Sequence, residues 1–242
     1  MPTKNENGKF DPDTDVTTYR RIRRAIGFLG IGLPFVLVLF SFIPFFITEV
    51  QPSISHYYFS NLRELFTGTL CAVGLFLIRY DGYKNESIWK NDSLLTNIAG
   101  AMAFGVALVP TEPIVGSQLL IYTIIPYDCC WLKCVHYGFA AVLFLIFALL
   151  AINVFTIGQK DEIKQPKSLW NENNIYRFCG YSIIACMALL FVFSKLNWFM
   201  YSTLFFEALS LMLFGIAWLI KGRALGDTGM LGQKLYRENN GV

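Results

Sequence analysis

Six apolar stretches alternate with polar segments along the chain. A membrane-spanning helix needs about 20 mostly apolar residues, with a range of roughly 17–25. Stretches of this kind predict an all-α bundle of six transmembrane helices, at about residues 25–48, 62–79, 94–110, 132–157, 175–195 and 198–221. The last two are joined by a short turn and should form an antiparallel hairpin. Asn91, a favoured capping residue, stands where the third helix should begin.

Basic residues occur in every second loop. Four Arg precede the first span, at positions 20, 21, 23 and 24, whereas residues 49–61 contain no Lys or Arg. Basic residues return after spans two and four and in the tail. Loops rich in Lys and Arg stay in the cytoplasm. The pattern therefore predicts cytoplasmic N- and C-termini, with residues 1–16 a disordered N-terminus, 17–221 the membrane domain and 222–242 a cytoplasmic tail.

Composition supports a membrane protein. Of 242 residues, 55% are hydrophobic and 15% are charged, whereas about 25% of the residues of a soluble domain are charged. Lipid must therefore solvate much of the chain, and no extramembrane segment is long enough for a second domain. We expect a multi-pass protein of the cell membrane, with membrane lipid as its partner and no nucleic acid. The oligomeric state is open.

Ionisable and hydroxyl side chains collect near the predicted outer boundary. Such groups are costly in hydrocarbon and usually face a partner or a cavity. Spans two, three, four and six all contribute at this level, whereas the inner half is expected to offer mainly Asn97. We therefore expect an outward-facing polar pocket. Its candidate ligand-binding residues are Ser55, His56, Tyr57, Arg63, Glu64, Asp128, His136 and Glu207.

Several functions are compatible with this layer. Arg63 suits a lipid headgroup or a small anion, because its fork of donors matches two phosphate oxygens. His56, His136 and Glu207 could instead hold Zn²⁺ in a metal-dependent intramembrane hydrolase. Proton relay in a transporter is a third function. The fourth is purely structural or interaction-related, with Arg63 or His136 paired to an acidic residue to lock helices together. Whether the protein is an enzyme stays open, and no catalytic residue is assigned.

Two further patterns concern packing. Cys129, Cys130 and Cys134 cluster before span four, where either a disulfide on the outer face or free thiols are compatible with the spacing. Small residues at helical spacing mark candidate close contacts between helices. These small residues are Gly68 and Ala72 in span two and Ala101 and Gly105 in span three.

Five short motifs carry a resemblance. They are PSISHYY at 52–58, RELFTG at 63–68, RYDGY at 79–83, GVALVPT at 105–111 and HYGFA at 136–140. Together they resemble a widespread group of bacterial six-span membrane proteins of uncharacterised function, and more distantly the Frag1/DRAM/Sfk1 and DUF998 membrane families. The resemblance implies a six-helix fold in a bacterial inner membrane. It places Ser53, Ser55, His56, Arg63 and His136 at matching motif positions and implies no reaction.

Overall fold

The computed structural model describes residues 12–113, 123, 125, 131–157, 169–196, 199–226 and 235–236, with side chains from residue 17 onward. These residues form helices and connecting turns, without a strand. The six α-helices are α1 (Pro12–Ser41), α2 (Arg63–Arg79), α3 (Asp92–Leu108), α4 (Leu132–Leu149), α5 (Glu172–Leu196) and α6 (Ser202–Lys221). Short 3₁₀ turns lie at Pro44–Phe46, Ser55–Phe59 and Ile88–Lys90, and a π-helical turn, Leu150–Val154, follows α4.

The six helices form a closed ring in chain order. Each packs mainly against its neighbours in the chain, and α1 closes the ring by packing against α6. The pair α1 and α6 runs antiparallel, because Gly27 lies against Gly215 while Arg24 lies against Gly222. One end of the ring therefore carries the α1–α2 connection, and the other carries Arg24 and the end of α6.

Glycines set the distance between neighbouring helices. A Cβ added to Gly215 would lie 2.6 Å from the carbonyl oxygen of Gly27, and one added to Gly100 would lie 2.7 Å from the carbonyl oxygen of Gly74. Because glycine has no Cβ, the helix backbones can approach closely at these positions. Of the small residues that the sequence singles out, Gly105 packs on Phe139 of α4, whereas Gly68 faces open space.

Four of the described helices are long and apolar enough to cross a membrane, namely Thr17–Ser41, Leu132–Val154, Glu172–Leu196 and Ser202–Lys221. The ring also exposes many large apolar side chains, including Phe35 at 67% and Phe178 at 66%. A protein surface of this kind suits lipid contact rather than water. The all-helical architecture is therefore that of a helical membrane protein. Helices α2 and α3 are shorter, with 17 residues each.

The helix limits correct several predicted ones. Helix α1 begins at Pro12, within the segment expected to be disordered, and ends at Ser41 rather than at residue 48. The early end has a local cause, because Pro44 lacks a backbone N–H and disfavours helical geometry in the residue before it. Ile43 is extended accordingly, with ψ 115°. The predicted cap is confirmed, since the Asn91 side chain accepts a hydrogen bond from the Leu94 N–H.

Candidate functional site

The connection between α1 and α2, residues 42–62, folds over one end of the ring and is called here the Ser55 loop. Its central residues are buried although they belong to no long helix, including Ile54 at 4% exposure and Tyr57 at 0%. Buried backbone needs hydrogen-bond partners. Helix α6 supplies one such partner, since the Leu204 N–H donates to the Pro52 carbonyl at 2.9 Å. Helix α1 contacts the loop through side chains, with the Ser41 and Tyr57 hydroxyls 2.9 Å apart.

His136 joins the Ser55 loop to α4. Its Nδ1 lies 2.7 Å from the Val109 carbonyl oxygen, and its Nε2 lies 2.9 Å from the Ser55 hydroxyl. A carbonyl oxygen only accepts, so Nδ1 carries the proton and donates. In the neutral ring Nε2 then accepts from the Ser55 hydroxyl. Both ring nitrogens are used, and the side chain is 1% exposed.

Glu207 joins the same loop to α6. Its Oε2 accepts a hydrogen bond from the Ile54 N–H at 2.7 Å. About one turn further along α6, Ser210 is 2% exposed, so this face of the helix is turned towards the inside of the ring. The loop is therefore held from α4 by His136 and from α6 by Glu207, on adjacent residues Ser55 and Ile54.

The other candidates lie around this centre. Arg63 donates to the Tyr58 hydroxyl at 3.0 Å and stacks on that ring, with its guanidinium carbon 4.4 Å from the ring centroid. His56 is half-buried, and its Nδ1 hydrogen-bonds the Ser53 hydroxyl. Burial lowers the pKa of His56, which the Glu112 charge opposes. Glu64 is exposed at the start of α2 and lies outside the buried centre.

Two expectations fall on residues that lie outside the described part of the chain. Asp128 is one of them. Cys129 and Cys130 are the others. Cys134 is a free thiol, which agrees with the free-thiol alternative and not with a disulfide to Cys134. Cys134 itself is exposed on the first turn of α4.

A zinc site gains no support from the described residues. They contain no group of three or more His, Cys, Asp or Glu placed to hold a metal ion. The expected ligands instead have other partners. His136 bonds Ser55 and Val109, Glu207 bonds Ile54, and His56 bonds Ser53.

A cavity of about 30 Å³ lies beneath Ser55 and Glu207. That volume is enough for one or two water molecules. Apolar side chains of α1, α2, α3, α4 and α6 form the rest of its wall, together with Ile54 of the loop. They are Leu33, Phe66, Leu70, Val106, Ala140, Leu143, Phe144 and Leu211. Small-molecule sites are likewise apolar with a few convergent polar groups, but they usually enclose about 300–1,000 Å³, so this cavity would have to widen to hold more than water.

The opposite end of the ring holds a polar cluster that the sequence prediction missed. The Arg23 guanidinium donates to the Tyr80 hydroxyl at 2.6 Å, and that hydroxyl donates to Asp92 Oδ2 at 3.0 Å. Lys221 donates to the Phe155 carbonyl at 3.0 Å. The expectation that this half offers mainly Asn97 is therefore wrong. Tyr80 directly follows α2 and Asp92 begins α3, yet both are buried, at 1% and 4% exposure.

Comparison with protein-family models, with curated proteins and with solved structures gives no match for this chain. Its function therefore has to be inferred from the Ser55 loop, the cavity and the two polar ends of the ring.

Proposed function

We propose that the chain crosses the membrane six times, with both termini in the cytoplasm and the Ser55 loop on the outer side. Six helices in a closed ring support six crossings, and the absence of Lys and Arg from residues 49–61 supports the orientation. The 17 residues of α2 span only about 26 Å at 1.5 Å each, against a hydrocarbon core of about 30 Å. The 3₁₀ turn Ser55–Phe59 of the Ser55 loop, with most of its residues buried, precedes this helix at the same end of the ring.

Cysteine labelling on either side of α2 tests the topology. The two variants are Asn61→Cys before α2 and Ser87→Cys after it, in a background with the three cysteines before span four replaced by Ser. A membrane-impermeant maleimide should label Asn61→Cys in intact cells, and Ser87→Cys only after permeabilisation. Equal labelling of both in intact cells would show that α2 does not cross.

We further propose that the outer site binds a membrane lipid, with its headgroup at the loop and its apolar part in the cavity. One observation carries this proposal: the cavity is apolar except for Ser55 of the loop and Glu207 of α6, which lie on its wall. Arg63, stacked on Tyr58 at the same end of the ring, supplies positive charge for an anionic headgroup. A small free anion could use the same charge but would leave the apolar cavity unfilled.

The cavity is too small for an acyl chain. Lipid binding therefore requires the Ser55 loop to move away from Glu207 and the start of α6, while Ser55 stays hydrogen-bonded to His136. Loops that open and close over a bound ligand are a common device. The two hydrogen bonds from α6, at Pro52 and Ile54, are the contacts that would break on opening.

Native mass spectrometry of the detergent-purified chain tests lipid binding. Wild-type protein should retain lipid. Leu70→Trp fills the cavity and should lose it, whereas Leu75→Trp, on the exposed face of the same helix, should retain it. Arg63→Gln should lower the share of anionic lipid, compared with Arg79→Gln at the other end of α2. Lipid retained by Leu70→Trp would contradict the proposal. Absence of lipid from the wild-type protein would also contradict it, and would favour a purely structural role in which the polar residues hold the helices together.

A further inference from the structure

Ser55 and His136 have the geometry of a nucleophile and its base. The Ser55 hydroxyl lies 2.9 Å from Nε2, and Nδ1 is oriented by the Val109 carbonyl at 2.7 Å. A weak nucleophile is activated when an adjacent base accepts its proton and a third group fixes the base. The carbonyl enforces the required tautomer, because it leaves the Nε2 lone pair for the serine.

The two residues come from distant parts of the chain. Ser55 lies in the loop and His136 on α4, 81 positions away. Ser53 and His56 offer a comparison, since they also form a Ser–His hydrogen bond. That pair is only three residues apart, and the His56 N–H also donates to the Ser53 hydroxyl at 3.2 Å. This is a local turn contact, and neither residue lines the cavity.

The cavity shows where a substrate would lie. Ser55 is one of its two polar wall residues, and the other walls are apolar. A carbonyl group attached to an acyl chain could therefore reach the serine from the cavity side. We propose that Ser55 is a nucleophile that accepts the acyl group of a membrane lipid ester, with His136 as its general base. This inference rests on the lipid-binding function proposed above.

The chemical step is an acyl transfer. The Ser55 oxygen forms a bond to the ester carbonyl carbon while its proton passes to His136 Nε2. The bond from that carbon to the alcohol oxygen breaks, and His136 returns the proton to the departing alcohol. Water, or the hydroxyl of a second lipid, then takes the acyl group from Ser55 by the same steps in reverse.

Glu207 controls access to this step. Its carboxylate occupies the Ile54 N–H, one residue before the nucleophile. Backbone N–H groups commonly stabilise the developing oxyanion, and the Ile54 N–H is a candidate donor beside Ser55. The substrate carbonyl therefore has to displace Glu207 before it can receive this donor, which agrees with a loop that opens to admit lipid.

A long-chain alkyl fluorophosphonate tests the nucleophile. It forms a phosphorus–oxygen bond with an activated serine and releases fluoride. We expect the wild-type chain to be labelled at Ser55 and Ser55→Ala to be unlabelled. His136→Gln should react about 100-fold more slowly, since a general base contributes 10²–10⁴-fold. The matched control Ser53→Ala should react at the wild-type rate. Unfolding temperature confirms that each variant is folded.

Failure of this inference can be separated from failure of lipid binding. Folded wild-type protein that retains lipid but is not labelled would overturn the nucleophile and leave the lipid-binding function intact. Labelling that persists in Ser55→Ala, or an unchanged rate in His136→Gln, would also overturn it. Labelled protein that retains no lipid would contradict the lipid ester as substrate.

Discussion

Glu207 provides the sharpest test of how the Ser55 loop is held. Its carboxylate accepts the Ile54 N–H at 2.7 Å, in a segment where Ile54 is 4% exposed. Glu207→Ala removes the acceptor and leaves this donor buried without a partner. Glu207→Gln keeps an acceptor oxygen in nearly the same place and should preserve most of the protection of the loop amides against hydrogen exchange. Glu64→Ala, an exposed carboxyl on α2, is the matched control.

The magnitude follows from the cost of an unsatisfied buried donor. Leaving one without a partner costs about 1–3 kcal/mol. Since each 1.36 kcal/mol is a factor of ten in an equilibrium, loop opening should become about 5- to 150-fold more frequent. Amide hydrogen exchange of a peptide covering residues 51–59 measures this directly, because buried amides exchange through opening.

A defined set of results would refute this reasoning. Glu207→Ala should accelerate exchange in residues 51–59 but not in a reference peptide within α3. Unchanged exchange of the loop would mean that the carboxylate does not hold it. Equal acceleration in Glu64→Ala would show that the effect is general charge removal rather than loss of one hydrogen bond.

Three further predictions concern stability in detergent, read as unfolding temperature. Gly215→Ala places a methyl group against the backbone of α1 and should cost about 1–3 kcal/mol, whereas Gly68→Ala, which faces open space, should change little. Burial lowers the pKa of His56 from its usual 6.5, so the unfolded chain takes up this proton more readily than the folded chain. Neutral His56 therefore costs no stability above pH 6.5, and stability is lost as the pH falls below it. On acidification, the wild-type protein should lose more stability than His56→Gln. Tyr80→Phe breaks the link between a guanidinium and a buried carboxylate and should cost about 1–3 kcal/mol, while Tyr83→Phe, 66% exposed, should be neutral.

The six apolar helices and their approximate limits could be predicted from hydrophobic length, and four of the described helices are long and apolar enough to cross a membrane. The end of α1 at Ser41 was missed, although Pro44 carried the signal, because residues 42–48 are as apolar as the helix before them. These residues form an exposed connection, with Phe42 at 70% and Phe45 at 84% exposure, so apolar character alone does not distinguish a membrane helix from an exposed apolar turn. Ile54 and Ser55, further along the same loop, are buried and held by hydrogen bonds to α6 and α4, which composition does not reveal.

The candidate site was predicted in part. Depth along each span placed Ser55, His136 and Glu207 near one level, and they do converge on the Ser55 loop. The partners could not be predicted, because rotation of each helix decides which side chains meet. The expected pairing of His136 with an acidic residue gave way to Ser55 and a backbone carbonyl. The cluster of Arg23, Tyr80 and Asp92 was missed because each lies near a predicted boundary, where polar residues need no special explanation.

A structure determined in phospholipid nanodiscs tests most directly whether the cavity beneath Ser55 is a lipid site. We predict elongated density that enters the ring at the Ser55 loop and ends among Leu70, Val106 and Phe144, with the Ile54–Glu207 contact opened and the Ser55–His136 contact kept. A closed loop over a cavity that holds only water-sized density, with lipid confined to the outer surface of the ring, would contradict the account.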